Sequence, residues 1–176
     1  MCIRDRAEYA TIDISDIAVS QAERDRITSY FASPDFEALD NDPAELTTAL
    51  ESNRAFRLWA KNNVADHKAA GYSIVNISLK PKELAPGDIT AEQMRAVSDF
   101  ADTYSFGELR TTHQQNLVLP HVKQSDLPAL FAELEKVGLA SDNINLISDI
   151  ICCPGMDFCA LATARSIPIS LSLIHI

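Results

Sequence analysis

The sequence predicts an α+β fold, with short strands and amphipathic helices alternating through the middle of the chain. Apolar residues alternate along residues 72–79, as they do in a strand with one buried face. Apolar residues recur at helical spacing along residues 94–104 and 127–137, which is typical of helices packed on a core. Two β-rich stretches, 106–112 and 116–122, lie between these helices. The order strand, helix, strand, strand, helix is most of a ferredoxin-like βαββαβ unit.

The composition is ordinary for a globular chain and restricts its partners. The 176 residues are 47% hydrophobic and 23% charged, with a formal net charge of -10. An acidic chain repels phosphate groups, so we expect no nucleic-acid partner and no membrane partner. No apolar run approaches the roughly 18 residues needed to cross a bilayer. The first residues also lack the apolar centre of a secretory signal, so we expect a cytoplasmic location.

One DNA element, read in opposite directions, can encode both ends of the chain. The string ATG TGT ATA AGA GAC AG translates to the first residues, MCIRDR, and its reverse complement translates to LSLIH, found at the other end. The string resembles a transposase end sequence used as a sequencing adapter. We therefore expect residues 1–6 and 171–176 to be adapter-derived tails and exclude them from fold reasoning.

Residues 7–53 predict an acidic, mostly helical connecting region. Its helical periodicity is modest, and the turn-rich stretch 33–43 interrupts it. Residues 54–143 then predict the ferredoxin-like unit. This unit begins with a short helix over residues 54–64, in which Trp59 is expected to be a packing anchor.

Local signals predict where the two long helices of this unit begin and end. Thr90 and Gln93 form a capping-box pattern at the start of the first helix. Ser125 is predicted to cap the second helix, and Gly138 to end it at the C′ position. Residues 144–151 are apolar enough to supply a last strand.

Three of the chain's four cysteines lie in the stretch CCPGMDFC, residues 152–159. Cys153 and Cys159 are separated by five residues that include a Pro-Gly turn, and the residues from Ala160 predict the start of a helix. The positive end of a helix dipole suits thiolates and the anionic sulfurs of an iron–sulfur cluster. Cys152 is expected to be a small apolar residue before the turn.

Other roles for the cysteines stay open on the residues alone. A zinc site usually pairs cysteines at two to four residues and needs four ligands. A disulfide is disfavoured in the cytosol. A nucleophilic cysteine would need a base, for which His113 and His121 are the histidines nearby in sequence. Simple burial of the thiols is the remaining alternative.

Two motif blocks, in order and correctly spaced, point to a known family. SFGELRTTHQQNLVLPHV, residues 105–122, and DIICCPGMDFCALATARSIP, residues 149–168, resemble the C-terminal half of the siroheme-dependent nitrite/sulfite reductase family. Within that family they resemble bacterial assimilatory sulfite reductase hemoproteins most closely. The resemblance covers roughly Phe56 to Pro168.

The resemblance implies two cofactors and some of their ligands. Members of this family bind siroheme and a [4Fe–4S] cluster that is held by two pairs of cysteines. Cys153 and Cys159 match the first pair. Gln115 matches a glutamine that contacts siroheme, and Asn116 and Arg110 lie in the same motif.

The resemblance also implies an order of domains. The ferredoxin-like half-domain, residues 54–143, is expected to be followed by the truncated start of the siroheme and [4Fe–4S] domain, residues 144–170. The second cysteine pair and the substrate-binding half of the family have no match in this chain. We therefore expect the chain alone to be inactive and to hold no stable cluster.

Two histidines of these motifs match no role in the family. His113 and His121 are expected to be surface or packing histidines. Lys80 and Lys82 flank a proline in a predicted loop, and we expect them to be a solvated pair rather than a clamp on the substrate.

The function implied for the parent enzyme is the reduction of sulfite to sulfide by an oxidoreductase. The electron donor would be a flavoprotein or a ferredoxin. Reduction of nitrite to ammonia by the same architecture is one alternative. A non-enzymatic ferredoxin-like binding module, with incidental cysteines, is another.

Overall fold

The computed structural model describes residues 10–12, 18–81 and 84–175, and the chain divides into two compact units, 1–35 and 36–176. In the first unit, helix α1 (Gln21–Ser29) begins after Ser20, whose hydroxyl accepts a hydrogen bond from the backbone N–H of Glu23. This helix buries no side chain. The predicted N-terminal tail lies outside the described residues.

The second unit contains one antiparallel sheet of four strands in the described residues, in the order β1-β2-β4-β3. Strand β1 (Val64–Asp66) pairs with β2 (Tyr72–Ile77), and β4 (Leu117–Lys123) lies between β2 and β3 (Arg110–Thr111). β2 and β4 are therefore the central strands, and the turns that follow β2 and precede β4 lie at the same end of the sheet. The polar residues of those turns build the site below.

Four helices pack on this sheet and a fifth follows the cysteines. They are α2 (Ala44–Ser52), α3 (Arg54–Asn63), α4 (Ala91–Tyr104), α5 (Leu127–Lys136) and α6 (Ile167–His175). One single 3₁₀ turn precedes α5, and another lies between Cys153 and Cys159. None of the helices in the described part of the chain has the length and apolar character needed to traverse a bilayer.

A single apolar core joins the sheet to helices α2 to α5. Trp59 is fully buried and its ring lies 5.2 Å from that of Phe131, so its predicted role as a packing anchor is confirmed. The alternation predicted for β2 is also confirmed, since Val75 and Ile77 are fully buried. The other large members of the core are Leu46, Phe56, Val97, Leu119, Val122, Leu127, Leu130 and Leu134.

The helix-end predictions were right in two cases and wrong in one. Thr90 and Gln93 form the reciprocal capping box, and the amide of Gln93 also donates to the carbonyl of Val137. Gly138 has φ +72° and follows α5, as a C′ residue does. Ser125 does not cap α5, because a 3₁₀ turn intervenes and its hydroxyl donates instead to the carboxylate of Asp126.

Three predicted elements differ from the observed ones. Residues 144–151 form turns rather than a last strand, and β1 already occupies the edge of β2 that is not paired with β4. Only Arg110 and Thr111 of the stretch 106–112 are extended, because Phe106 and Gly107 adopt positive φ. The helix predicted from Ala160 begins only at Ile167, after turns.

Candidate functional site

Residues 152–159, called here the cysteine segment, wrap around a single 3₁₀ turn. The backbone N–H of Cys159 donates to the carbonyl of Gly155 at 2.9 Å, which closes the turn. All three cysteines of the segment are free thiols: Cys152 is buried, Cys153 is exposed and Cys159 is half-buried. The turn lies between the two predicted ligands, Cys153 and Cys159, and Cys152 precedes both with its side chain buried.

Gly155 is required by the close approach of the chain that follows. Its φ is +60°, and a Cβ built there would lie 2.8 Å from the carbonyl oxygen of Ala164 and 2.9 Å from the nitrogen of Ser166. The N–H of Met156 donates to the same Ala164 carbonyl at 3.0 Å. The backbone at Gly155 therefore packs directly against residues 164–166, and only glycine, which lacks a Cβ, fits at this buried position.

Gln115 holds the beginning of the cysteine segment. It lies in the turn between β3 and β4 at φ +59°. Its amide nitrogen donates to the carbonyl of Cys152 at 2.8 Å, and its amide oxygen accepts from the N–H of Cys152 at 2.9 Å. A Cβ at Gly87 would lie 3.1 Å from the Cβ of Gln115, so the loop after β2 also packs closely on this side chain.

Lys80 and Asp149 form a buried ion pair beside Gln115. Their charged atoms are 3.1 Å apart, and the two side chains are 0% and 5% exposed. Asn116 lies between them: its oxygen accepts from the Lys80 ammonium at 3.1 Å, and its nitrogen donates to Asp149 at 2.8 Å. The prediction of a solvated Lys80 was wrong, because the chain stays in the interior after β2 ends at Ile77 and buries the Lys80 side chain. Lys82 lies outside the described residues.

Arg110 lies on the edge strand and is more than half exposed. Its guanidinium pairs with Glu108, whose other oxygen is 3.1 Å from Nε2 of His121. Burial acts to raise the pKa of Glu108, but the hydrogen bonds and charges of Arg110 and His121 together outweigh it and lower that pKa. Burial lowers the pKa of His121, with Glu108 opposing. His121 is a packing histidine, as expected, and His113 is exposed.

A cleft of about 210 Å³ adjoins the cysteine segment. Its walls include Gly87, Gln115, Cys152, Pro154 and Phe158. Cavities that enclose organic ligands usually measure about 300–1,000 Å³. No group of three or more His, Cys, Asp or Glu side chains in the described ranges could hold a metal ion. The described residues therefore place a small cleft beside the cysteine segment, and they form no complete metal site.

The middle of the chain matches a known domain. The model of the nitrite/sulfite reductase ferredoxin-like half domain matches residues 68–137. This chain contains the ferredoxin-like half domain of the nitrite/sulfite reductase family. The half domain thus includes β2, α4, β3, β4 and α5, together with Lys80, Gln115 and Asn116, and the cysteine segment follows it.

Three relatives extend the likeness beyond the half domain, and each is a ferredoxin–nitrite reductase. The chloroplastic protein of Betula pendula is 30% identical over 122 residues, 67% of this chain and 20% of the relative. The Synechococcus elongatus protein is 30% identical over 122 residues, 65% of this chain and 23% of the relative. The chloroplastic protein of Zea mays is 38% identical over 122 residues, 66% of this chain and 21% of the relative. The chain spans about a fifth of the length of these relatives.

Sequence reasoning placed Gln115 and Asn116 in the site but missed Lys80 and Asp149. The position of Lys80, beside a proline in a predicted loop, predicts a solvated side chain. The chain leaves the strand after Ile77, however, and Ser78, Leu79 and Lys80 are then all buried. Its partner Asp149 lies 69 positions away, and nothing local in the sequence marks the pair.

Proposed function

We propose that the protein containing this chain is a ferredoxin-dependent nitrite reductase, an oxidoreductase that reduces nitrite to ammonia. The names of the relatives favour nitrite over the sulfite that the motifs first indicated. They equally favour ferredoxin over a flavoprotein as the electron donor. Sulfite reduction is the competing outcome of the test, because one half-domain family includes both activities.

In this proposal Cys153 and Cys159 supply two of the four thiolates of a [4Fe–4S] cluster coupled to siroheme. One observation supports this proposal. The two thiols flank a hydrogen-bonded turn, and Gln115 of the half domain bonds the backbone of Cys152 just before it. The remaining ligands come from another part of the protein. When bound, such cofactors supply the electron transfer, and this chain's residues supply thiolates and hold them in place.

The chain's own polar residues define what it contributes besides the thiols. Gln115 and Asn116 are committed to bonds within the protein, while Arg110 carries an exposed guanidinium on the edge strand. Contacts of these three residues with siroheme stay a prediction. We also propose a cytoplasmic or equivalent reducing compartment, because the thiols must stay reduced to serve as ligands.

The test is an assay of the intact protein with reduced ferredoxin and each anion in turn. We expect nitrite to be converted to ammonia with a higher kcat/KM than that for the conversion of sulfite to sulfide. A preference for sulfite would overturn the choice of substrate. Turnover of neither anion, together with an iron-free preparation, would overturn the enzymatic proposal and favour a binding module.

A further inference from the structure

Two sets of buried bonds from the half domain converge on residues 149–152. Lys80 and Asn116 bind the carboxylate of Asp149, and Gln115 binds the backbone of Cys152. These three half-domain residues come from the turn that follows β2 and the turn that precedes β4. The convergence lies immediately before the exposed thiol of Cys153.

The Gln115 side-chain amide bonds the backbone of Cys152 in the way that a neighbouring strand would. It satisfies both the N–H and the carbonyl of one residue that lies outside any strand. Backbone groups in a partly buried place need such partners. Losing them leaves a donor and an acceptor unsatisfied, which is costlier than the net gain of an ordinary hydrogen bond. Gln115 makes these bonds from a left-handed backbone conformation, which is unusual for a residue other than glycine.

The Lys80–Asp149 pair fixes the chain three residues earlier. The Lys80 ammonium has three acceptors, the Gln114 carbonyl, Asn116 and Asp149. The second oxygen of Asp149 accepts from the N–H of Asn145 at 3.0 Å, which closes the turn before the cysteines. Removing one member of a buried ion pair leaves the other charged and unpaired, so the pair specifies one docking position for this turn.

We infer that Lys80, Asn116 and Gln115 are positioning residues that hold the cysteine segment in one place on the half domain. This inference rests on the proposed function only in what the positioned thiols are for. Gln115 acts through the backbone of Cys152, and Lys80 acts through Asp149. Cys153 and Cys159 then follow at fixed places on the Gly155 turn, ready for the remaining ligands of the site.

Alkylation of the thiols tests the inference without any cofactor. The chain, free of iron, is treated with iodoacetamide, and fragment-ion mass spectrometry follows each cysteine separately. Cys152 is 4% exposed and reacts only when the segment opens, whereas Cys153 is exposed and reports the reagent. In Gln115→Ala and Lys80→Met we expect the ratio of the Cys152 rate to the Cys153 rate to rise about tenfold or more.

Matched variants separate local opening from general damage. Lys136→Met removes an exposed lysine whose ammonium pairs with Glu133 in the described part of the chain, and should leave the ratio unchanged. Adding Asp149→Asn to Lys80→Met removes the unpaired charge and should restore much of the protection of Cys152. The chain's single tryptophan, Trp59, lies in the core, so its fluorescence reports whether the fold survives.

An unchanged ratio in both Gln115→Ala and Lys80→Met would overturn the inference. If Lys80→Met unfolds the core, Gln115→Ala decides alone, because that side chain lies outside the core. The result is independent of turnover. A protein with protected Cys152 that reduces no nitrite would contradict the proposed function and leave the positioning role standing.

Discussion

At the scale of single residues, Gly155 is the most constrained position of the cysteine segment. Replacing it with alanine places a Cβ against the Ala164 carbonyl and also forces a left-handed alanine, which alone costs roughly 1–2 kcal/mol. We expect Gly155→Ala to displace residues 164–166 and to abolish the protection of the Met156 amide against hydrogen exchange.

Gly138→Ala is the control for this prediction. Gly138 has a similar φ of +72°, but the nearest atom to a built Cβ is 3.9 Å away. Gly138→Ala should therefore lower the unfolding free energy only through backbone strain, and the Met156 amide should stay protected. Equal effects of the two substitutions on Met156 would show that the close contact with Ala164 does not shape the segment.

His121 makes stability depend on pH through a chain of hydrogen bonds. The N–H of Ala69 donates to Nδ1 of His67, so the proton of His67 is on Nε2, which donates to Nδ1 of His121 at 3.0 Å. The proton of His121 is then on Nε2 and is donated to Glu108. His121 is neutral in this arrangement, and a second proton on its ring breaks the bond that its Nδ1 accepts from His67.

The sign of the pH effect follows from the lowered pKa of His121. Its contribution is fully present above the unfolded value of about 6.5 and is lost as the pH falls through the folded value. Glu108 also has a lowered pKa, but its contribution is lost only below its ordinary value of 4.5. The unfolding free energy in urea should therefore fall from pH 7.5 to pH 5.5, and His121→Gln should flatten that fall.

His113→Gln serves as the comparison, because His113 is an exposed turn residue with no part in the chain of bonds. It should reproduce the pH dependence of the unchanged protein. A curve for His121→Gln that overlays the unchanged one would show that the buried histidine does not carry the dependence.

At the scale of elements, Asn63 joins the end of α3 to β2 and to the chain that follows α5. This fully buried amide donates to the carbonyls of Asn76 in β2 and of Ser141 after α5. The amide of Asn76 in turn donates to the Asn63 carbonyl. Asn63→Ala should lower the unfolding free energy by about 1–3 kcal/mol, since it leaves buried carbonyls without donors.

Asn62→Ala provides the matched comparison one position earlier. Asn62 makes a single exposed bond to the Asp142 carbonyl, so its loss should cost well under half as much in the same urea titration. A cost for Asn63→Ala no greater than for Asn62→Ala would mean that the reciprocal amides do not hold the elements together.

The elements that the sequence predicted correctly are those with local, repeated signals. The alternation of Val75 and Ile77 and the reciprocal cap of Thr90 and Gln93 are readable within a few residues. The strand predicted at 144–151 failed because its place depends on a distant element, β1, which occupies the edge of β2. In the site, Gln115 could be chosen from its motif, whereas its bond to Cys152 joins residues 37 positions apart in the chain.

At the scale of the whole molecule, the half domain and the cysteine segment are stabilised in different ways. The sheet and its helices share a closed core around Trp59, whereas the cysteine segment has almost no core of its own. Phe158 of the segment is 76% exposed, and Leu161, just after it, is 93% exposed. Polar contacts therefore hold the cysteine segment in place: the bonds of the Gln115 amide, the Lys80–Asp149 ion pair and the hydrogen-bonded turn at Gly155.

The measurement that tests this account most directly is the iron and acid-labile sulfide content of the intact protein after single cysteine substitutions. We predict that Cys153→Ser and Cys159→Ser each lower the iron and sulfide content, because each removes one of the four thiolates that would hold the cluster. Cys152→Ala, one position away and buried, should keep its full iron and sulfide. Full cluster content in Cys153→Ser or Cys159→Ser would contradict the account, and so would a loss confined to Cys152→Ala.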